Sequence, residues 1–355
     1  MGERTLVGPG TGSGPALPAG AGFEADVHEQ PEALARFLDA EADTAVRIAD
    51  RLERLDVRSV LVAGRGSSDN ATRYGHYLFG AEHRLPVAQA TPSLFTRYGT
   101  PPMLDGALVV AVSAGGRSHD VLAVVEEGVR QRRPTVAITN DPTSPLAEAA
   151  DHVLPLHAGP EQGPTASKTY TSTLAAFALL SAAMAGDTAL RDELRGLPDV
   201  LSRLLDSSAA ACKSVAAVLA DALRATVVGR GFNYGTAKEL ALKLTALTRT
   251  APIAYSAADV IRGPVPSTGE TPVLLIAPSG RVLSDAMGLI PTLRASGTPL
   301  LALSDVDEVL DEADRAVRLP AGVREWLSPM VTIVPAQLIA LEVARFQGTL
   351  DEHDD

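Results

Sequence analysis

The chain contains an internal repeat, and this repeat limits the folds that it can adopt more than any other feature. The segment SVLVAGRGSSDNATRYGHYLF, which begins at Ser59, resembles ATVVGRGFNYGTAKELALKL, which begins at Ala225. In each, a short apolar run leads into Gly-Arg-Gly and then into a helical pattern, and the two Gly-Arg-Gly triplets are 165 residues apart. A fixed separation of this kind indicates a duplicated structural unit.

Two further pairs of segments keep nearly the same separation. ALVVAVSAGGRSHDV corresponds to PVLLIAPSGRVLSDA, with Gly116 matched to Gly280, and PTVAITND corresponds to PLLALSDV, with Pro134 matched to Pro299. Three separations that agree to within one residue are not expected by chance, so the sequence predicts a tandem duplication. The predicted units are a disordered tail rich in Gly, Pro and Ala over residues 1–23, a first domain over 24–195 and a second over 200–355.

Each half alternates apolar runs of strand length with longer helical patterns. The runs VLVAG, LVVAVS, TVAIT and VLPL are continuously apolar, which is typical of parallel strands buried on both faces. Repeated β-α-β units predict an α/β fold of two similar subdomains, each a parallel sheet with helices on both faces. Ligands of such sheets bind at the carboxyl ends of the strands.

Charge and composition argue against several classes of function. The net charge of −12 and the pI of about 5.1 do not suit a nucleic-acid groove, which needs clustered Lys and Arg. No run approaches about 18 consecutive apolar residues, so no membrane span is predicted. The N-terminus lacks the apolar core of a signal peptide, which predicts a cytoplasmic protein.

The metal-binding and redox-active residue types also form no site in the sequence. The single cysteine, Cys212, cannot form an internal disulfide, and its helical run SAAACKSVAAVLADAL indicates a packing residue. The seven histidines form neither HxH nor HExxH, so no metal site is expected.

Three hydroxyl-rich turns of the first half could form a phosphate site. Glycines let the backbone approach an anion, while hydroxyls and helix N-terminal amides donate hydrogen bonds to it. For one turn alone, a helix N-cap explains the same residues at least as well, but three such turns in order favour phosphate. GxxxxGK[ST] and GxGxxG are absent, so no nucleotide cofactor is expected. The candidate binding residues are Gly66, Ser67, Ser68, Ser113, Gly115, Gly116, Ser118, Thr165, Ala166 and Ser167.

Two charged residues of the second half, Glu239 and Lys243, lie four residues apart on a predicted helix. They could act as a carboxylate and an ammonium above the ligand. Spacing alone favours a surface ion pair worth a few tenths of a kcal/mol. Arg262 lies in the predicted loop SAADVIRGPVPS and is uninformative by itself.

These segments together resemble the sugar isomerase (SIS) domain family. The tandem arrangement is similar to the isomerase half of glucosamine–fructose-6-phosphate aminotransferase and to related phosphosugar deglycases and deaminases. The resemblance covers residues 24–349 and is carried by GRGSSDNA, TPSLFTRYG, AITNDPTSPLAEAADHVLPL, SKTYTSTLAAFALL and GRG…AKELALKLTALT…RGP. It implies two flavodoxin-like SIS subdomains and a homodimer. No glutaminase half is present, so ammonia release from glutamine is not expected.

The resemblance also assigns roles to individual residues. It implies that a sugar phosphate is held by Ser67, Ser68, Ser113, Ser118, Thr165 and Ser167. Glu239 and Lys243 fall on the Glu-x-x-x-Lys helix positions of the family.

The sequence departs from the family at its catalytic positions. The enolising glutamate that the aminotransferases place three residues after the lysine is Ala246 here, and their ring-opening histidine is Arg262. No counterpart of their C-terminal Schiff-base lysine follows Lys243, and the phosphate turn Ser-Gln-Ser-Gly reads Ser-Ala-Gly-Gly. Two functions remain: an isomerase- or deaminase-type enzyme with altered chemistry that uses Glu239, Lys243 or Arg262, or a non-catalytic phosphosugar-binding sensor or partner subunit.

Overall fold

The computed structural model describes residues 18–262 and 271–350 of the chain. Its strands are β1 (Ser59–Ala63), β2 (Val87–Gln89), β3 (Ala107–Val112), β4 (Thr135–Thr139), β5 (His152–Pro155), β6 (Arg224–Gly229), β7 (Ala251–Ser256), β8 (Val273–Ile276), β9 (Leu300–Ser304) and β10 (Arg315–Arg318). Its helices are α1 (Ala19–His28), α2 (Gln30–Glu53), α3 (Ser67–His83), α4 (Ser93–Thr96), α5 (His119–Arg130), α6 (Pro145–Ala149), α7 (Lys168–Met184), α8 (Thr188–Ala220), α9 (Tyr234–Leu247), α10 (Ala257–Arg262), α11 (Leu283–Ala295), α12 (Asp307–Glu312) and α13 (Ser328–Gln347).

The strands form two parallel sheets with the same topology. The first sheet has the order β2-β1-β3-β4-β5, and the second, taken in the same direction, has the order β7-β6-β8-β9-β10. Both follow the 2-1-3-4-5 order of flavodoxin-like folds, in which ligands bind where the strand order reverses. The predicted α/β fold of two similar parallel-sheet subdomains is therefore confirmed.

The glycines that reveal the repeat occupy equivalent places in the two sheets. Gly66 and Gly231 each follow the first strand of their sheet, with φ angles of 56° and 58°. Gly116 and Gly280 each follow the strand next to it, β3 and β8. The separation of about 165 residues therefore matches equivalent strand ends, as predicted.

The arginine of each Gly-Arg-Gly turn forms an ion pair, and this pair is duplicated in the two halves. Arg65 donates to Asp120 on α5, and Arg230 donates to Asp285 on α11. The two partners are 55 residues apart in both halves. Each pair ties the Gly-Arg-Gly turn to the helix that follows the next strand, so the two turns at the carboxyl edge of each sheet lie side by side.

The two halves share one hydrophobic core. Alternate residues of a strand face opposite sides of a sheet, and here Val60 and Val62 of β1 face the shared core while Leu61 and Ala63 face an outer core beneath α5. The shared core also contains Leu274 from the second sheet. Burial on both faces explains why the strand sequences are continuously apolar.

Helix α13 lies inside this core. The segment 325–347 is long and apolar enough to cross a membrane by length and composition alone, with a mean hydropathy of 1.6, but 94% of its apolar window is buried by the rest of the fold. No other helix of the described residues meets that test. Such burial is what a core helix requires.

Two predicted boundaries differ from the observed elements. Helix α1 begins at Ala19, and Phe23 is fully buried in the shared core, so residues 19–23 belong to the folded part rather than to the predicted tail. Residues 1–17 lie outside the described residues. The predicted domain boundary at 196–199 lies inside α8, which continues through Pro198. Leucines repeating along this helix are buried on one face, which holds it to the core of both halves.

Candidate functional site

The hydroxyl-rich turns lie at the carboxyl edge of the first sheet. Gly66 caps α3, Ser113 follows β3, and Ser118 caps α5. The loop after β5 leads through Thr165 to α7. These residues lie at one edge because the strands of the first sheet are parallel, so that their carboxyl ends all meet at that edge.

A buried ion pair of the second half joins two of these turns. Lys243 and Glu239, both fully buried on α9, contact each other at 2.5 Å. The Lys243 ammonium donates to Ser67 Oγ at 3.1 Å and to Thr165 Oγ1 at 3.0 Å. Asn70 on α3 donates to Glu239 Oε2 at 2.8 Å. Through this pair, helix α9 of the second half forms part of the candidate site at the edge of the first sheet.

The surface interpretation of Glu239 and Lys243, which their spacing favoured, is therefore wrong. Helix α9 packs on α3 so closely that a Cβ at Gly235 would lie 2.7 Å from the carbonyl oxygen of Asn70. This contact covers the face that would otherwise be exposed. Asn70, which completes the pair, was missed because nothing in the sequence links α3 to α9.

The turn between β3 and α5 forms an open cradle, defined here as residues 113–118. A Cβ at Gly116 would lie 1.9 Å from Ser144 Oγ, and its φ is +61°, so the turn requires glycine there. Gly115 is exposed, and a Cβ there would meet nothing within 4 Å. Ser118 occupies the N-cap position of α5, but its side chain makes no capping hydrogen bond. Within the described residues, the amides of Gly115, Arg117 and Ser118 have no acceptor.

The equivalent turn of the second half is closed. The carboxylate of Glu325 accepts from the amides of Arg281 at 2.8 Å and Val282 at 3.4 Å. A Cβ at Gly280 would lie 2.4 Å from the Glu325 carboxyl carbon. The protein's own carboxylate therefore takes the place that an anion would occupy, and only the first of the two duplicated turns is open.

The third turn is partly engaged by another carboxylate. Glu161 accepts from the amide and the hydroxyl of Ser167, each at 3.0 Å, and from the amide of Thr169 at 2.8 Å. Burial, together with the nearby charge of Asp26, raises the pKa of Glu161. Ser167 is itself fully buried, and its hydroxyl is bonded to Glu161 rather than free for a ligand. The sequence prediction for Ser167 overlooked this carboxylate six residues upstream.

The loop that carries Thr165 is anchored by the start of the chain's folded part. Asp26 on α1 accepts from the amides of Gln162 at 2.6 Å and Gly163 at 2.7 Å. Lys168, fully buried, lies 3.1 Å from Asp26 and 2.6 Å from Glu29. These bonds fix the loop against α1 and α7.

The remaining predicted residues are placed as follows. Ser68 and Ala166 are half-buried, and Ala166 offers only its backbone to a ligand. Ala246, at the family's enolising position, is exposed on α9. Arg262 ends α10, and its side chain lies outside what the structure describes.

Among the described residues, neither a thiol nor a group of metal-ligating side chains contributes to the site. Cys212 is buried, and burial raises the pKa of its thiol to about 12, so the predicted packing role is confirmed. Among residues 18–262 and 271–350, no three His, Cys, Asp or Glu side chains are grouped to hold a metal ion.

Comparison with known proteins places this geometry in a family. The SIS domain model matches residues 55–183 and 218–345. Glutamine–fructose-6-phosphate aminotransferase [isomerizing] of Methanothermobacter thermautotrophicus is 32% identical over 326 residues, which are 91% of this chain and 54% of that protein. The chain spans about half the length of the curated relatives it matches.

Solved structures show the same arrangement. A Silicibacter pomeroyi DSS-3 protein assigned to the phosphosugar isomerases is 30% identical, with a TM-score of 0.78 over 94% of this chain and 98% of that one. The C-terminal domain of glucosamine–fructose-6-phosphate aminotransferase from Francisella tularensis is 23% identical, with a TM-score of 0.83 over 92% of this chain and 96% of that one. With its two parallel sheets and two model matches, the chain belongs to the SIS domain family and carries two SIS domains in tandem.

Proposed function

We propose that the chain binds a sugar phosphate, with the phosphate in the open cradle of residues 113–118. The observation that carries this proposal is the contrast between the duplicated turns. Glu325 fills the turn of the second half, and the first-half turn, with free amides and two serine hydroxyls, has no such partner among the described residues. A helix N-terminus with free amides favours an anion.

The sugar would extend from the cradle towards Ser67, Ser68 and Thr165. Lys243 binds two of these hydroxyls and so orients them. The names of similar proteins support the substrate class: an aminotransferase of fructose 6-phosphate, a glucosamine-6-phosphate deaminase and a tagatose-6-phosphate ketose/aldose isomerase share the fold. We therefore propose a hexose phosphate or aminosugar phosphate.

The reaction that we propose is a divergent isomerisation or deamination. Aldose–ketose isomerisation needs a base that moves a proton between C1 and C2, and losing such a base costs about 10²–10⁴-fold in rate. Because Ala246 replaces the expected glutamate, the remaining candidates for proton transfer and charge stabilisation are Glu239, Lys243 and Arg262. Glu239 and Lys243 lie beside Ser67, which supports a role for the pair.

One observation favours the alternative, a non-catalytic phosphosugar sensor or partner subunit. The residue at the enolising position, Ala246, is exposed and has no acid–base group. Exchange in heavy water of a C1 proton of fructose 6-phosphate, or of the C2 proton of glucosamine 6-phosphate, separates the two functions. Exchange supports the enzyme, whereas binding without exchange supports the sensor.

The binding proposal predicts the effect of removing the two cradle hydroxyls. Ser113→Ala with Ser118→Ala should weaken binding of fructose 6-phosphate or glucosamine 6-phosphate at least about ten-fold, because hydrogen bonds to a charged group are stronger than neutral ones. Binding should not vanish, because the backbone amides remain. Isothermal titration calorimetry of wild type and variant measures the change.

Ser284→Ala provides the matched control, since Ser284 is an exposed serine on α11 beyond the closed turn. It should bind both sugars as the wild type does. The proposal fails if neither sugar phosphate binds the wild type at millimolar concentration, or if the double variant binds as well as Ser284→Ala.

A further inference from the structure

A cleft of about 830 Å³ lies at the amino-terminal edge of the first sheet, opposite the edge that carries the cradle. Its floor is formed where Pro134 leads into β4 and where His152 begins β5. Its walls are the C-terminal end of α2 and the turn after α5. We call this groove the arginine cleft, because four arginines line it: Arg51, Arg54, Arg132 and Arg133.

The positive charge of the arginine cleft is largely uncompensated. Within the described ranges, Arg51, Arg54 and Arg132 form no ion pair, and Arg133 lies 3.8 Å from the exposed carboxylate of Asp105. Asp151 is the lining carboxylate, and its Oδ2 accepts from the amide and hydroxyl of Thr135. In a chain with a net charge of −12, such a concentration of arginines creates a local field that attracts anions.

Because the fold is duplicated, the charge of the arginine cleft can be compared with that of the equivalent groove in the second half. The corresponding groove of the second half, of about 450 Å³, is lined by two arginines, Arg294 and Arg315. There Arg294 contacts Asp314 at 2.8 Å and Glu312 at 4.0 Å. Within the described residues, the second half thus has two arginines at this edge, of which Arg294 is paired, whereas the first half has four, of which three form no ion pair.

The backbone of the turn after α5 adds a second observation. Arg132 has a φ of +58°, and the residue 165 positions later, Gly297, has a φ of +68°. A positive φ suits glycine and strains a residue with a side chain. The first half thus places a charged side chain, facing the cleft, where the second half keeps glycine. Strained positions of this kind cluster at functional sites.

The rim of the cleft is apolar. Leu55 is 47% exposed and Val129 is 41% exposed, and both line the groove. A ligand with an organic part could cover them. We propose that the arginine cleft is a second anion site, which binds a small phosphorylated organic molecule with at least two negative charges. It is independent of the sugar-phosphate proposal, because it lies at the opposite edge of the sheet.

Calorimetric titration with inorganic pyrophosphate tests the charge requirement. Arg51→Gln with Arg132→Gly should weaken binding at least about ten-fold, since guanidinium–phosphate bonds are charge-assisted. Arg132→Gly introduces the residue that the second half has at this position, so the variant is expected to fold, and thermal unfolding checks it. Arg130→Gln is the matched control: Arg130 pairs with Glu127 outside the cleft, and its loss should leave binding unchanged.

Two further arms locate the site and define the ligand. The variant Ser113→Ala with Ser118→Ala should keep its pyrophosphate binding at the arginine cleft, and phenyl phosphate should bind the wild type more tightly than inorganic phosphate because of the apolar rim. The proposal is overturned if pyrophosphate does not bind the wild type, if Arg130→Gln weakens binding as much as the cleft variant, or if only the serine variant loses it. Equal binding of inorganic phosphate and phenyl phosphate would overturn the proposal that the ligand has an organic part.

Discussion

Lys243 is a residue of the second half that forms hydrogen bonds with two residues of the first half. Its ammonium is fully buried against Glu239 of its own helix and against Ser67 and Thr165 of the first half. A buried charge is tolerated only when opposite charge and hydrogen bonds replace the water that it loses. The arrangement therefore couples the stability of the fold to the geometry of the candidate site.

Breaking this pair should be costly. Lys243→Met leaves the Glu239 carboxylate buried without its cation, which should lower the free energy of unfolding by about 3–5 kcal/mol. Urea denaturation at neutral pH measures the loss. Adding Glu239→Gln to Lys243→Met removes the stranded charge while keeping an acceptor for Asn70, so the double variant should recover part of the stability.

The control for this prediction is an exposed ion pair. Arg195 and Asp192 contact each other on the surface of α8 with side chains 55% and 70% exposed. Arg195→Met should change the free energy of unfolding by less than about 1 kcal/mol. If Lys243→Met costs no more than Arg195→Met, the buried pair does not have the energetic role given to it here.

At the scale of elements, the helix N-termini differ in whether a carboxylate of the protein accepts hydrogen bonds from the backbone amides there. Glu325 accepts from the amides of Arg281 and Val282, which lead directly into α11, and Glu161 accepts from the amides of Ser167 and Thr169 at the start of α7, so both helix starts are closed. Negative charge at a helix N-terminus is stabilised by those amides and by the helix dipole. Helix α5, preceded by the open cradle, lacks such a carboxylate among the described residues. We propose that this difference decides which of the two duplicated turns binds a ligand.

Three histidines, two on α3 and one on β5, predict how the stability of the fold depends on pH. Burial lowers the pKa of His76, His83 and His152, and nearby Arg73 and Arg51 act in the same direction on His76 and His152. The unfolded chain therefore binds more protons than the folded one as the pH falls through about 6.5. Stability should be full above that pH and should decline below it.

His83→Gln tests this sign. Glutamine can keep the contact that the ring of His83 makes with Ser181 Oγ at 2.8 Å, but it does not titrate. Urea midpoints should fall less between about pH 7.5 and pH 5.5 in the variant than in the wild type. Parallel curves for the two proteins would show that the histidine does not contribute.

At the scale of the whole molecule, we propose a homodimer in solution. The proposal comes from the tandem SIS resemblance, which implies a site built across a two-fold interface, with Arg262 able to approach the ligand of the neighbouring chain. Exposed apolar side chains support it: Tyr98 is 71%, Met103 80% and Ile253 55% exposed. Light scattering at micromolar concentration should give twice the chain mass of 36.9 kDa, and a mass near that of one chain would contradict the proposal.

Sequence alone was sufficient for the architecture. The repeat of Gly-Arg-Gly turns, the continuously apolar strands and the matched glycines predict two equivalent parallel sheets, and the structure has them. These features could be predicted because they are local: each depends on a few consecutive residues and on a separation counted along the chain. The same locality placed Ser113 and Ser118 correctly at a strand end and a helix start.

What the tertiary structure decided involves residues that are far apart in the sequence. Lys243 and Ser67 are 176 residues apart, and Arg281 and Glu325 are 44 apart. A pair four residues apart on a helix is exposed or buried according to what packs against it, and spacing does not contain that information. Whether a turn is open to a ligand or closed by a distant carboxylate depends in the same way on which side chains the folded chain brings to the turn.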